Sequence, residues 1–195
     1  MTDNYTELLD EIPHLIRAKA FSDSLSAAPL FSRVGQTLDP ADRDLAERYV
    51  QNLGFPHIEQ ARLVHLAEAL GAAEASGEDP DAWETEEQLR SFLHMEAMAQ
   101  TSEEGANALL QLVSGQVSEV ASAAVIEHFE HSPHYDEAAK NAMVGHVVQS
   151  AHCMALAILS NMDEEQPDHP FILRWSLFNR GRWPVGITGS SFNLF

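Results

Sequence analysis

From Asn141 to Met162 the chain runs for 22 residues without a charged side chain, and this segment constrains the fold more than any other. A run of that length could span a bilayer. Yet it carries Asn141, His146, Gln149, Ser150, His152, Ser160 and Asn161, and polar groups are expensive in hydrocarbon. A helix buried inside a soluble bundle accommodates both observations. At about 100° per residue, Met143, Val144, Val147, Val148, Ala151, Met154, Ala155, Ile158, Leu159 and Met162 share one broad face. Opposite them lies a strip of small residues, Ala138, Ala142, Gly145 and Gln149, where another helix could approach closely. The pattern predicts a central helix over 134–162.

Local signals place further helices around it. Asp39-Pro40, Asp79-Pro80 and Ser132-Pro133 each set an N-cap acceptor before a proline at the first helical position. Thr101 to Glu104 has the spacing of a capping box. Gly54 followed by Pro56 marks one helix stopping and another starting. Apolar stripes recur with a period near 3.6, and none alternates with period two over any length. The expected helices are 3–19, 40–53, 56–76, 80–99, 102–114, 116–131, 134–162 and about 170–179. Residues 20–38 are expected as a loop with at most one short helix, and 75–79 and 163–170 as connectors. The two Asp-Pro starts lie 40 residues apart, but the residues between them do not match, which argues for recurring cap chemistry rather than a repeat. The expected architecture is all-α: a single domain over 1–195, a bundle of six to eight helices, with an aromatic and partly irregular C-terminal segment.

Charge limits the partners. With 30 acidic residues against 11 Lys and Arg, the formal net charge is −19. Such a field repels phosphate backbones and anionic lipid and attracts basic proteins. No nucleic acid and no membrane is therefore expected as a partner. The single cysteine, Cys153, allows no internal disulfide and reads as a small buried apolar residue. Residues Met1 to Arg17 lack the apolar core of a signal peptide, and the expected compartment is the cytoplasm.

Ten histidines raise the question of metal or acid–base chemistry. The densest group is Glu127, His128, His131 and His134. His128 and His131 are three apart, as are neighbours on a helix face, and imidazole and carboxylate are ordinary zinc or iron ligands. The spacing matches no specific ligand motif, and His134 falls beyond Ser132-Pro133. A di-iron bundle would need two Glu-x-x-His pairs; the one occurrence, Glu11 to His14, is interrupted by Pro13. His146 and His152 point about 120° apart on one helix and read as core histidines with hydrogen-bond partners. Glycine-rich phosphate loops, Gly-x-Ser-x-Gly elbows and His-Glu-x-x-His motifs do not occur in the sequence. No catalytic residue and no cofactor is assigned on these grounds.

The last 27 residues differ in character. From His169 to Phe195 there are three arginines, no acids, and six of the 15 aromatics. Six exposed aromatics would form an apolar patch of roughly several hundred Å², unusual on a soluble monomer. The tail is therefore expected to be ordered and to pack Trp175 and Trp183, either on its own body or on a partner. Trp175, Phe178, Arg180, Arg182 and Trp183 are the candidate interaction residues, since Trp and Arg anchor many interfaces. The arginines should lie near carboxylates, in pairs contributing only about 0–1 kcal/mol if exposed. The expected function is non-catalytic: protein–protein interaction, through self-association or a basic partner, with an inhibitor as one version. The alternative is a metal-dependent or small-molecule-binding protein centred on residues 127–134.

Overall fold

The computed structural model describes residues 13–77 and 80–195. Among them are eight α-helices and one small sheet, so the protein is predominantly helical, as the periodicity predicts. The helices are α1 (Pro13–Ser24), α2 (Pro40–Asn52), α3 (Leu66–Ser76), α4 (Pro80–Gln100), α5 (Glu103–Phe129), α6 (Glu137–Leu159), α7 (Met162–Glu165) and α8 (Pro170–Phe178). The strands are β1 (Glu59–Arg62), β2 (Pro184–Thr188) and β3 (Ser191–Leu194).

α6 is the central helix. It buries Met143, Val147, Ala151 and every residue from Ala155 to Leu159, and packs against α1, α4, α5 and α8. It starts later than Ser132-Pro133 implies. Ser132 to Tyr135 form a turn, and Asp136 is the N-cap, its carboxylate accepting from the Ala139 amide at 2.8 Å. Among the described residues no helix packs on the small-residue strip: Ala138 and Gly145 are exposed.

Three further expectations change. Segments 102–114 and 116–131 join into α5, because one buried stripe (Ala106, Leu110, Val113, Val117, Ala121, Val125, Phe129) runs through Gly115. A helix-interior glycine costs only about 0.5–1 kcal/mol, which the continuous stripe offsets. The cap of α5 is Ser102, whose hydroxyl accepts from the Gly105 amide, and not Thr101. Segment 56–76 divides: β1 pairs in parallel with β3, and α3 begins only at Leu66. Segment 20–38 is helical up to Ser24, and a short 3-10 turn follows. The Asp79 cap and the first part of the helix expected over 3–19 lie outside the described residues.

The C-terminal segment completes the core. Asp39-Pro40 opens α2, and His169-Pro170 opens α8, with the His169 Nδ1 accepting from the Phe171 amide. α8 lies between two apolar clusters. Phe171, Trp175 and Phe178 join the main core around α6, while Leu173 and Leu177 join Tyr49, Val50, Phe192 and Leu194. β2 and β3 then form an antiparallel hairpin, with β3 central in the order β1-β3-β2. Beyond the strands the ladder continues, as Trp183 and Phe195 exchange backbone hydrogen bonds at 2.8 and 3.0 Å. Phe31 meets Phe129, Phe178 and Trp183 edge-on at 5.7–6.2 Å between centroids. It does so with φ of 61°, a strained value for a bulky residue, stabilised by that aromatic packing.

Candidate functional site

The three C-terminal arginines fold back onto the body of their own chain. Asp39 and Asp42 cap α2 reciprocally: the Asp42 amide donates to Asp39 Oδ1 at 2.8 Å, and the Asp39 amide to Asp42 Oδ2 at 3.2 Å. Onto this pair come Arg180, donating to Asp42 Oδ1 at 2.7 Å, and Arg182, donating to Asp42 Oδ2 at 2.9 Å. Arg182 also donates to the carbonyls of Arg33, Gln36 and Thr37. Arg182 and Asp42 are both 0% exposed. The expectation of an exposed, weak pair is thus corrected for Arg182: a ring of loop carbonyls makes its full burial tolerable. The Asp42 amide and the Arg33 side chain hold the Asp39 carboxyl down at about 2. For Asp42, burial pushes the carboxyl up, but hydrogen bonds from Arg180 and Arg182 outweigh it and hold it below the ordinary value.

Trp175, Phe178 and Trp183 are likewise buried at 7%, 0% and 0% exposure. Four of the five side chains proposed from sequence as interaction anchors are therefore enclosed in their own fold, and Arg180 is half-buried and paired. Close packing of the tail on the loop before α2 explains this. Gly181, at φ of 78°, lies where a Cβ would strike Ser32 and the backbone of Pro29 and Arg33.

The His/Glu group at 127–134 does not assemble. Glu127, His128, His131 and His134 are all exposed, and the nearest carboxylate oxygen to His131 is that of Glu130 at 3.6 Å. α5 ends at Phe129, so His131 and His134 sit on a turn where helical spacing no longer applies. Among the described residues, no three His, Cys, Asp or Glu side chains are grouped to hold a metal ion.

A different polar group was not singled out from the sequence. Arg174 is the only charge within the apolar helix α8, and that isolation was its available signal. Its Nη1 donates to Glu86 Oε2 of α4 at 2.7 Å, and Tyr49 of α2 donates its hydroxyl to Glu86 Oε1. Burial raises the Tyr49 phenol well above its ordinary value, and the Glu86 charge adds to this. Nearby, the Trp183 indole donates to His146 Nδ1 at 3.1 Å. An indole N–H can only donate, so the neutral imidazole carries its own proton on Nε2. Burial, then the Arg174 charge, lower His146 to about 4, so it is neutral at pH 7. His146 is thus a histidine with a hydrogen-bond partner, whereas His152 is half-buried in a groove beside His94 between α4 and α5.

Arg174, Glu86 and His146 line a cavity of about 110 Å³. Its walls are the end of α3, the start of α4, Gln149 of α6 and the backbone of β2, with the half-exposed Trp83 at its lip. Gly186 of β2 passes so close to α3 that a Cβ there would lie 2.5 Å from Ser76 Oγ.

Cys153 lies close enough to feel the Arg174 charge, and burial pushes its thiol up to about 12. Since the thiolate is the reactive form, the native protein at pH 8 will react with a disulfide reagent at least about 100-fold more slowly than the urea-unfolded chain. Equal rates would show that the thiol is accessible.

The outer side of α5 is the other feature of note. α5 and α6 are each long and apolar enough to cross a membrane by length and composition, but their cover differs. Of the most apolar 18 residues, 56% are buried in α6 and only 28% in α5. Ala108, Leu112, Gly115, Glu119, Ala123 and Ile126 are exposed along one line of α5, at spacings of three and four residues. Glu119 is the sole charge between Gly105 and Ile126.

No family model, no curated protein and no solved structure matches the chain.

Proposed function

We propose that this protein acts by self-association, two copies meeting along the outer face of α5. The observation that carries the reading is the apolar length of that helix that no other described residues cover. Charge decides where a second copy docks. Two chains of net charge −19 repel each other, and contact is cheapest where carboxylates are sparse. The α5 face is such a surface. Ala108, Gly115 and Ala123 let backbones approach, while Leu112 and Ile126, at 49% and 40% exposure, supply side chains that insert between neighbours.

The expected strength is modest. Twenty-seven helical residues span about 40 Å. A flank roughly 10 Å wide then buries about 800 Å² over both copies, below the roughly 1,200–2,000 Å² of a stable complex. Dimerisation should therefore be reversible, with Kd on the order of micromolar or weaker. With the two helices parallel, a two-fold axis sets the two Glu119 carboxylates opposite each other; with the helices antiparallel and centred on Gly115, the carboxylates lie about 12 Å apart along the helix.

Sedimentation velocity across a wide concentration range tests this. The wild-type chain will shift from monomer to dimer, Leu112→Glu will stay monomeric, and Glu119→Gln will dimerise several-fold more tightly. A wild type that is monomeric throughout contradicts the reading. If such a monomer floats with phosphatidylcholine vesicles, the face is directed at lipid. If it binds only a basic protein, in a salt-sensitive way, the acidic surface and not α5 is the functional one.

A further inference from the structure

We propose that the cavity between α3, α4, α6 and α8 is a binding site for a small carboxylate, held by Arg174 and His146. The argument is a surplus of donors. Glu86 has both carboxylate oxygens engaged, one by Tyr49 and one by Arg174. Arg174 uses only Nη1 in that bond, and its Nε and Nη2 groups take no partner among the described residues. Those two donors form one edge of the planar guanidinium, the edge that matches a carboxylate in bidentate fashion. His146 has Nδ1 occupied by the Trp183 indole, which leaves its Nε2–H as a third donor on a ring that lines the same cavity. Arg174 is 7% exposed, yet its free nitrogens are not among the buried unpartnered atoms, so they reach the solvent of the cleft and a ligand meets them by displacing water.

Size sets the ligand class. A volume of about 110 Å³ equals that of about four water molecules in the liquid. It accommodates a carboxylate of a few non-hydrogen atoms, and a larger ligand has to extend out of the open mouth of the cleft. Ala73 of α3 and Ala82 of α4 also line the cleft and suit a short alkyl group behind the carboxylate. This site is independent of α5 and of self-association.

The test is a titration of the full-length chain with acetate, followed by NMR at the Arg174 Nε–H and the Trp183 indole N–H. Both resonances will shift saturably with one Kd. Ala73→Leu, which fills the cavity from α3 while leaving Arg174 and Glu86 paired, will weaken binding at least tenfold. The double variant Arg174→Gln/Glu86→Gln, which removes both charges together, will abolish it. Shifts that rise linearly with acetate, or that persist unchanged in folded Ala73→Leu, overturn the proposal. Equal affinity for acetamide overturns the carboxylate assignment, because a guanidinium edge with an imidazole donor should prefer the anion at least tenfold.

Discussion

Deleting residues 171–195 will leave a chain that does not fold. The segment contributes Phe171, Trp175, Phe178, Trp183, Phe192 and Phe195, each no more than 7% exposed. Fully burying one such side chain stabilises by roughly 1.5–3 kcal/mol, and a whole domain is stable by only about 5–15 kcal/mol. Losing six at once removes about 9–18 kcal/mol, as much as the whole margin. The deletion also strips α6 of α8 and leaves β1 without its partner strand. Circular dichroism and solubility measure the outcome: the truncated chain will aggregate or lack a cooperative melt. Trp183→Ala alone, at 0% exposure, will cost roughly 3–5 kcal/mol. A truncated chain that is soluble and melts like wild type would mean that the tail is an appendage and not part of the core.

Arg182→Ala will destabilise the protein by about 3–5 kcal/mol, the range for breaking a buried ion pair by removing one partner. The loss takes one of three arginines from Asp42, which is 0% exposed and keeps Arg180 and Arg33, and it leaves three loop carbonyls without their donor. Removing the exposed Lys19–Asp23 pair will change stability by less than about 1 kcal/mol. The effect of Arg182→Ala depends on pH with a definite sign. Asp42 is held below its ordinary value of 3.8 in the folded chain. It therefore contributes stability above that value and loses it as pH falls through the folded value. The difference between wild type and Arg182→Ala will be largest near pH 7 and will narrow as pH drops below the ordinary aspartate value of 3.8. Chemical denaturation at several pH values checks this. A penalty under 1 kcal/mol at neutral pH would show that the clamp is solvated.

What the sequence reveals depends on how local the signal is. Asp39-Pro40 marks the start of α2 because the cap and its satisfied amides lie within four residues. α8 ends one residue from its expected limit because Pro170 and the Asn179–Gly181 turn bound it locally. β1 gives no such signal: Glu59, Gln60, Ala61 and Arg62 show no apolar alternation, and their partners lie at Ser191 to Leu194. The division expected at residue 115 fails because the stripe that carries α5 through Gly115 comes from packing on α6. The burial of Arg182 depends on carbonyls from Arg33 to Thr37, which no sequence period connects to it. Arg174 stands out as an isolated charge in an apolar helix, but its partners Glu86 and Tyr49 become evident only when α2, α4 and α8 are brought together. The exposed line on α5 depends on the same kind of information: the helix is apolar on several sides, and only the fold shows which side α6 leaves open.

The face assigned to self-association is most directly tested by a single cysteine at Gly115, near the midpoint of α5, where a Cβ meets nothing within 4 Å. The native Cys153 is buried and will not compete. Under mild oxidation Gly115→Cys will form a disulfide-linked dimer rapidly, because a two-fold contact centred on the middle of α5 places the two thiols opposite each other in either helix orientation. Glu84→Cys, exposed on α4, will cross-link slowly and only by random collision. Equal rates at the two positions, or no dimer from Gly115→Cys, would contradict the account.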